Sequence, residues 1–148
     1  ISAGRQPVID RKAVFHVLYE PGELKAVAYA ADGIQEESAL RSADENTRIV
    51  ITPETIPEIG AVLFVDIDLR GENGEIESCA DETLTVSLSG GQLLAFGSAN
   101  PKTAEVYHSG TYTTYYGRSL AAVLVEAPEV TVTVKDDAQS VSKTFCAK

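Results

Sequence analysis

The chain has 148 residues, 44% of them hydrophobic, 23% charged and 7% aromatic, enough for one compact domain or two small β modules and unlike a tail, a linker or a coiled coil. Twenty-two acidic residues against twelve basic ones give a formal net charge of -10, so a nucleic-acid backbone or an anionic membrane face is repelled and neither is expected as a partner. No apolar run approaches the length of about eighteen residues that a membrane span requires, and no basic segment leads into an apolar one at the start, so neither membrane insertion nor an uncleaved signal peptide is expected.

The chain opens in mid-pattern with Ile1-Ser2-Ala3-Gly4 and contains no methionine, as a piece cut from a longer polypeptide or a processed mature protein would. Its dominant signal is apolar alternation with a period of two. The pattern predicts strands over 13–18, 24–30, 34–40 and 47–52. Glu20-Pro21-Gly22-Glu23 reads as a turn, and Asp32-Gly33 closes a hairpin. Core candidates in this first part are Val14 or Phe15, followed by either Leu24, Ala26, Ala28 and Ala30 or the opposite face, Val27 and Tyr29. His16, inside the first strand, reads as a packed or surface residue. The polar stretch Arg41-Ser42-Ala43-Asp44-Glu45-Asn46 marks a boundary: residues 1–42 carry too few strands to hold a core and read as the partial end of another β-sandwich module, while 44–148 suffice for one immunoglobulin-like β-sandwich.

The second part predicts strands over 61–69, 83–89, 92–96, 104–108, 118–125, 129–135 and 140–146. In Ala61-Val62-Leu63-Phe64-Val65-Asp66-Ile67-Asp68-Leu69, the residues Leu63, Val65, Ile67 and Leu69 share one face while Phe64, Asp66 and Asp68 share the other, the pattern of a strand wet on one side. Leu63, Val65 and Ile67 with Leu84, Val86, Leu88, Val130, Val132 and Val134 form the expected core. Arg70-Gly71-Glu72-Asn73-Gly74-Glu75 reads as a surface reversal without a site. Regular strands at roughly ten-residue spacing, with turn signals between, define an all-β sandwich.

Asp66 and Asp68 read as a solvated strand face; calcium ligation together with Asp81 or Glu82 lacks the spacing of a calcium loop, and no metal or cofactor is expected. Cys79 and Cys146, if bridged, would close a long loop worth roughly 4 kcal/mol; two buried free thiols are the alternative. His108, beside the turn Tyr107-His108-Ser109-Gly110-Thr111-Tyr112, belongs to no nucleophile–histidine–acid set, so no catalytic residue is assigned. Binding is a different matter. Tyr107, Tyr112, Tyr115 and Tyr116, with Asn100 and Arg118 close in sequence, could stack on sugar rings and orient hydroxyls, and they would serve equally as turn packing or as contacts with a neighbouring domain.

Two longer stretches carry a resemblance. Tyr19-Glu20-Pro21-Gly22-Glu23-Leu24-Lys25-Ala26-Val27-Ala28-Tyr29, followed by Ala39-Leu40-Arg41-Ser42-Ala43, resembles the end of an immunoglobulin-like accessory domain of bacterial glycoside hydrolase family 2, the β-galactosidase-like enzymes. Gly90-Gly91-Gln92-Leu93-Leu94-Ala95-Phe96-Gly97-Ser98-Ala99-Asn100-Pro101, then Tyr116-Gly117-Arg118-Ser119-Leu120-Ala121-Ala122-Val123-Leu124, resembles the C-terminal immunoglobulin-like domain that often follows it. The resemblance implies a secreted or periplasmic parent enzyme that hydrolyses β-glycosides with two carboxylates in a barrel domain. Neither the barrel nor its motifs lie in this sequence. The expected role is therefore non-catalytic support of the parent's other domains, with a weak carbohydrate-binding module and an adhesin-like protein-interaction domain as the alternatives.

Overall fold

Alternation decides the layers. In β4 (Val62–Arg70) the residues Leu63, Val65, Ile67 and Leu69 are each no more than 1% exposed, because every second side chain of a strand points to the same side. A computed structural model of the protein describes residues 1–33, 35–44 and 46–148. After β1 (Glu23–Tyr29) and β2 (Gln35–Arg41), β3 (Arg48–Pro53) pairs with β4, and then follow β5 (Thr83–Ser89), β6 (Gly91–Gly97), β7 (Thr111–Thr113), β8 (Arg118–Val125), β9 (Glu129–Lys135) and β10 (Ser140–Cys146). The last eight form two four-stranded antiparallel sheets, ordered β3-β4-β8-β6 and β10-β9-β5-β7.

The core lies between those sheets. Ile49, Ile51, Phe96, Ala121, Val123 and Val125 join the inward residues of β4, and from the other sheet come Leu84, Val86, Tyr112, Val130, Val132, Val134 and Phe145. Of the sandwich core residues expected in the second part, Leu88 alone is half-buried, packed against the cluster near the end of β5 where the chain turns toward β6. Side chains tie the open edges of the two sheets: Lys143 Nζ on β10 donates to the Ile51 carbonyl of β3 at 2.8 Å, and Gln139 Oε1 accepts the Ile49 N–H at 3.1 Å.

Two of the five crossings between the sheets meet. Gly90 links β5 to β6, and its carbonyl accepts the N–H groups of Glu126 (3.1 Å) and Ala127 (3.0 Å), which lie where β8 hands over to β9. Gly90 has φ +79°, and a Cβ there would overlap the Glu129 carbonyl. Only glycine combines that backbone angle with that approach at little cost.

Two expected strands are absent. Residues 13–18 form no ladder, and Val14, Phe15, Val17, Leu18 and Tyr19 stay exposed. Residues 104–108 form a loop, since Glu105 spends its carboxylate on Thr103 and Thr113 while the Tyr107 carbonyl takes the Phe96 N–H. The three-residue β7 pairs with β5 in its place. β1 and β2 form a separate antiparallel pair, with Glu23 opposite Arg41, and nearly all of it is exposed; Val27 is half-buried, and neither of the two candidate faces of β1 forms a core. Ile34, expected to begin the second strand, and Glu45 in the boundary stretch lie outside the described residues. Cys79 and Cys146 are both free and exposed, neither bridged nor packed inside.

Candidate binding groove

The outward face of β4 carries Phe64, Asp66, Asp68 and Arg70. Register sets their neighbours: Phe64 stands opposite Ala122, which pairs with Ala95, and Asp66 stands opposite Leu120, which pairs with Gly97. A bulge between Leu93 and Ala95 puts Ala95 and Gly97 into this alignment. Small residues at those positions leave a depression between Phe64 and the loops beyond β6, and the result is an open groove of about 1310 Å³. Phe64 remains 44% exposed on its floor.

The other outer face is chemically unlike this one. On β10-β9-β5-β7 hydroxyls meet across strands, Thr83 with Thr113, Thr85 with Thr111, Thr131 with Thr144 and Thr133 with Ser142, at 2.8 to 3.1 Å. Such pairs satisfy each other and offer no aromatic or charged grip.

The six residues singled out by sequence separate. Tyr107, Tyr115, Tyr116 and Arg118 line the groove. Tyr112 does not: it is 1% exposed and meets Phe96 edge-on at 6.5 Å. The parity of Thr111-Tyr112-Thr113 turns its ring inward, so it belongs to the core and is unavailable to a ligand. Asn100 is also spent elsewhere, its Oδ1 accepting the Lys102 N–H at 2.9 Å to close its own loop. Asp68, expected in solvent, is 8% exposed and receives Arg70 Nη2 at 2.6 Å. Residues 70–75, read as a reversal without a site, contribute Arg70 and Glu75 to the groove, followed by Ile76. Sequence reasoning passed over Phe64 and Leu120, whose signal was large apolar residues at outward positions of otherwise regular strands.

Two devices hold the aromatic residues. Tyr107 stacks on Tyr112 with centroids 5.3 Å apart and planes 4° from parallel, and its ring covers Gly97, where any Cβ would collide with it. Burial, then the Tyr107 hydroxyl and charge, push the Tyr112 phenol above its ordinary pKa. At the start of β8, Tyr115 and Arg118 exchange backbone hydrogen bonds of 3.0 and 3.2 Å around Tyr116 (φ +53°) and Gly117 (φ +69°). Positive φ at both central positions is the signature of a type I′ hairpin turn. This turn is pinned from outside: Asp81 Oδ1 accepts the Tyr116 N–H at 3.1 Å, and the Gly117 N–H donates to the Ala80 carbonyl at 3.0 Å. Tyr115 and Tyr116 lie 4.4 Å apart with rings tilted by 51°, and the hydrogen bond and charge of Tyr116 raise the Tyr115 phenol.

Glu105 braces the loop that carries Tyr107. Desolvation alone would raise its carboxyl, but hydrogen bonds from Thr103 Oγ1, Thr113 Oγ1 and the Thr113 N–H outweigh it and hold the pKa below the ordinary 4.5. A depressed folded-state pKa adds stability that is present above the unfolded value and is lost as pH falls through the folded one. Melting curves of the wild type and Glu105→Gln should therefore differ most above pH 4.5 and converge below it; a gap independent of pH would show that the carboxylate is not the brace.

Two antiparallel four-stranded sheets around one apolar core, without a helix among the described residues, make this an immunoglobulin-like β-sandwich. Residues 58–144 match the family described as glycoside hydrolase family 2 C-terminal domain 5, and the chain belongs to that family. Residues 1–35 match a second family, described as a domain of unknown function (DUF4982). Among solved structures, a glycosyl hydrolase family 2 member from Bacteroides cellulosilyticus DSM 14838 is similar at 25% identity and TM-score 0.80, over 87% of this chain and 19% of that one. A β-glycosidase from Bacteroides vulgatus has 20% identity and TM-score 0.74 over 88% and 18% of the two chains. A Parabacteroides merdae β-glucuronidase has 17% identity and TM-score 0.56 over 90% and 18%; these last two likenesses concern the fold. No curated protein matches the chain by sequence. The chain thus spans less than a fifth of these solved enzymes, and it corresponds to a C-terminal accessory region of a multidomain family 2 glycoside hydrolase.

Proposed function

We propose that this region is non-catalytic and holds domains in place within a secreted or periplasmic, β-galactosidase-like enzyme that hydrolyses β-glycosidic bonds. The observation that carries the reading is the family match over 58–144 on a sandwich that covers 19% of a solved family 2 hydrolase. The junction before the sandwich supports it. Asn73 donates its backbone N–H to both Asp44 carboxylate oxygens (3.1 and 3.2 Å) and its Nδ2 to the Ser42 carbonyl at 3.0 Å. A Cβ on Gly71 would collide with Asp44, so a glycine is needed for that approach. The segment leading from β2 to β3 is thereby fastened to the 71–74 turn, a contact suited to setting the angle between modules. The compartment rests on the resemblance drawn from the sequence.

The test is removal of residues 44–148 from the parent enzyme. The truncated enzyme should keep its kcat on an aryl β-glycoside while its Tm falls. Loss of kcat at unchanged Tm would place this region in the chemistry instead.

A further inference from the structure

We propose that the groove over β4, β8 and β6 binds an uncharged oligosaccharide, with Tyr116 as its aromatic platform. Tyr116 holds a backbone conformation that its own packing does not repay. It occupies the first central position of a type I′ turn, where asparagine or glycine adopts positive φ readily and a bulky side chain does not. Its ring gains little burial in return, being 58% exposed. Strain of that kind, held in place by the Asp81 contact and by Gly117 fitted against the Glu77 carbonyl, points to a use outside folding.

What surrounds the ring defines the ligand. Tyr115 beside it and Tyr107 over Gly97 add two more aromatic surfaces, while Phe64 and Leu120 give an apolar floor suited to the C–H faces of sugar rings. Four carboxylates, Glu54, Asp66, Asp68 and Glu75, share the groove with two guanidiniums, Arg70 and Arg118. Glu54, Asp66 and Glu75 offer acceptors and Arg118 offers donors to hydroxyl groups, Asp68 and Arg70 being closed on each other, and the net negative charge opposes uronates, sulfated glycans and phosphates. An open groove suits a chain of sugars better than a single small molecule. The inference goes beyond the accessory role and is tested separately: absence of glycan binding leaves the truncation result untouched.

The experiment is calorimetric titration of the 148-residue chain with cellotetraose, β-1,4-galactotetraose and β-1,4-xylotetraose, and with tetragalacturonate as the charged comparison. At least one neutral tetrasaccharide should bind saturably and tetragalacturonate should not. Tyr116→Asn relaxes the turn while deleting the ring, so it should weaken binding by at least about tenfold and raise Tm by about 3 °C. Arg118→Gln should weaken binding at unchanged Tm. Silence with all three neutral sugars, full binding by Tyr116→Asn, or a lowered Tm in that variant would each overturn the proposal. So would groove resonances in an NMR spectrum that respond to the parent enzyme's remaining domains and to none of the sugars, since the face would then be a seat for a domain.

Discussion

Truncation of Phe96 to alanine is expected to remove about 3–5 kcal/mol of folding stability, a large part of the roughly 5–15 kcal/mol typical of a domain. Phe96 is wholly buried although it lies on β6, an edge strand of its sheet. Its ring meets Tyr112 edge-on, and Tyr112 carries the stacked Tyr107 at the groove border. Loss of the ring therefore opens a cavity under two aromatic neighbours, neither of which can fill it without leaving its own contact. Phe96→Leu keeps most of the volume and should cost under about 1.5 kcal/mol. Urea unfolding of both variants reads the difference, and equal losses would mean that the aromatic column contributes nothing beyond apolar volume.

The second large effect belongs to Gly90. Alanine there must adopt φ near +79° and must also displace the Glu129 carbonyl, which lies where its Cβ would be. Positive φ alone costs roughly 1–2 kcal/mol, and an overfilled site adds about 1–3 kcal/mol. Gly60 separates the two terms, since its φ is +82° and nothing lies within 4 Å of a Cβ built on it. Gly60→Ala should show the backbone cost alone, and Gly90→Ala clearly more. Matching losses would mean that the two crossovers yield around position 90 without strain.

Where a strand has one dry side, its sequence announces it. The strands expected at 83–89, 118–125 and 129–135 correspond residue for residue to β5, β8 and β9, each of which buries one face against the opposite sheet. The same alternation at 104–108 misleads, since Glu105 finds three hydroxyl and amide donors nearby and no ladder competes for that segment. Polarity misleads at Asp68, which reads as solvated yet is shielded once Arg70, two residues on along the same face, folds over it. Nearness in sequence misleads at the tyrosines: one position of parity sends Tyr112 into the core while Tyr107 and the 115–116 pair line the groove. The floor depended on information no single segment holds. Phe64, Leu120 and Ala95 become neighbours only through the order β4-β8-β6 and through a bulge in β6.

The hydroxyl pairs on the far sheet bear on how such a chain changes over time. Because Thr83 and Thr113, or Thr133 and Ser142, satisfy one another rather than a fixed external group, losing one hydroxyl leaves its mate to water at an exposed position, a small penalty. That surface is thus a nearly neutral ground on which threonine, serine and valine can exchange by drift. The groove side lacks this freedom at Gly97 and Gly117, where a single methyl group meets a tyrosine ring or a carbonyl. Within one sandwich, the two outer surfaces are therefore expected to accumulate substitutions at different speeds, the slower being the one whose glycines are fitted against a ring and a carbonyl of the chain itself.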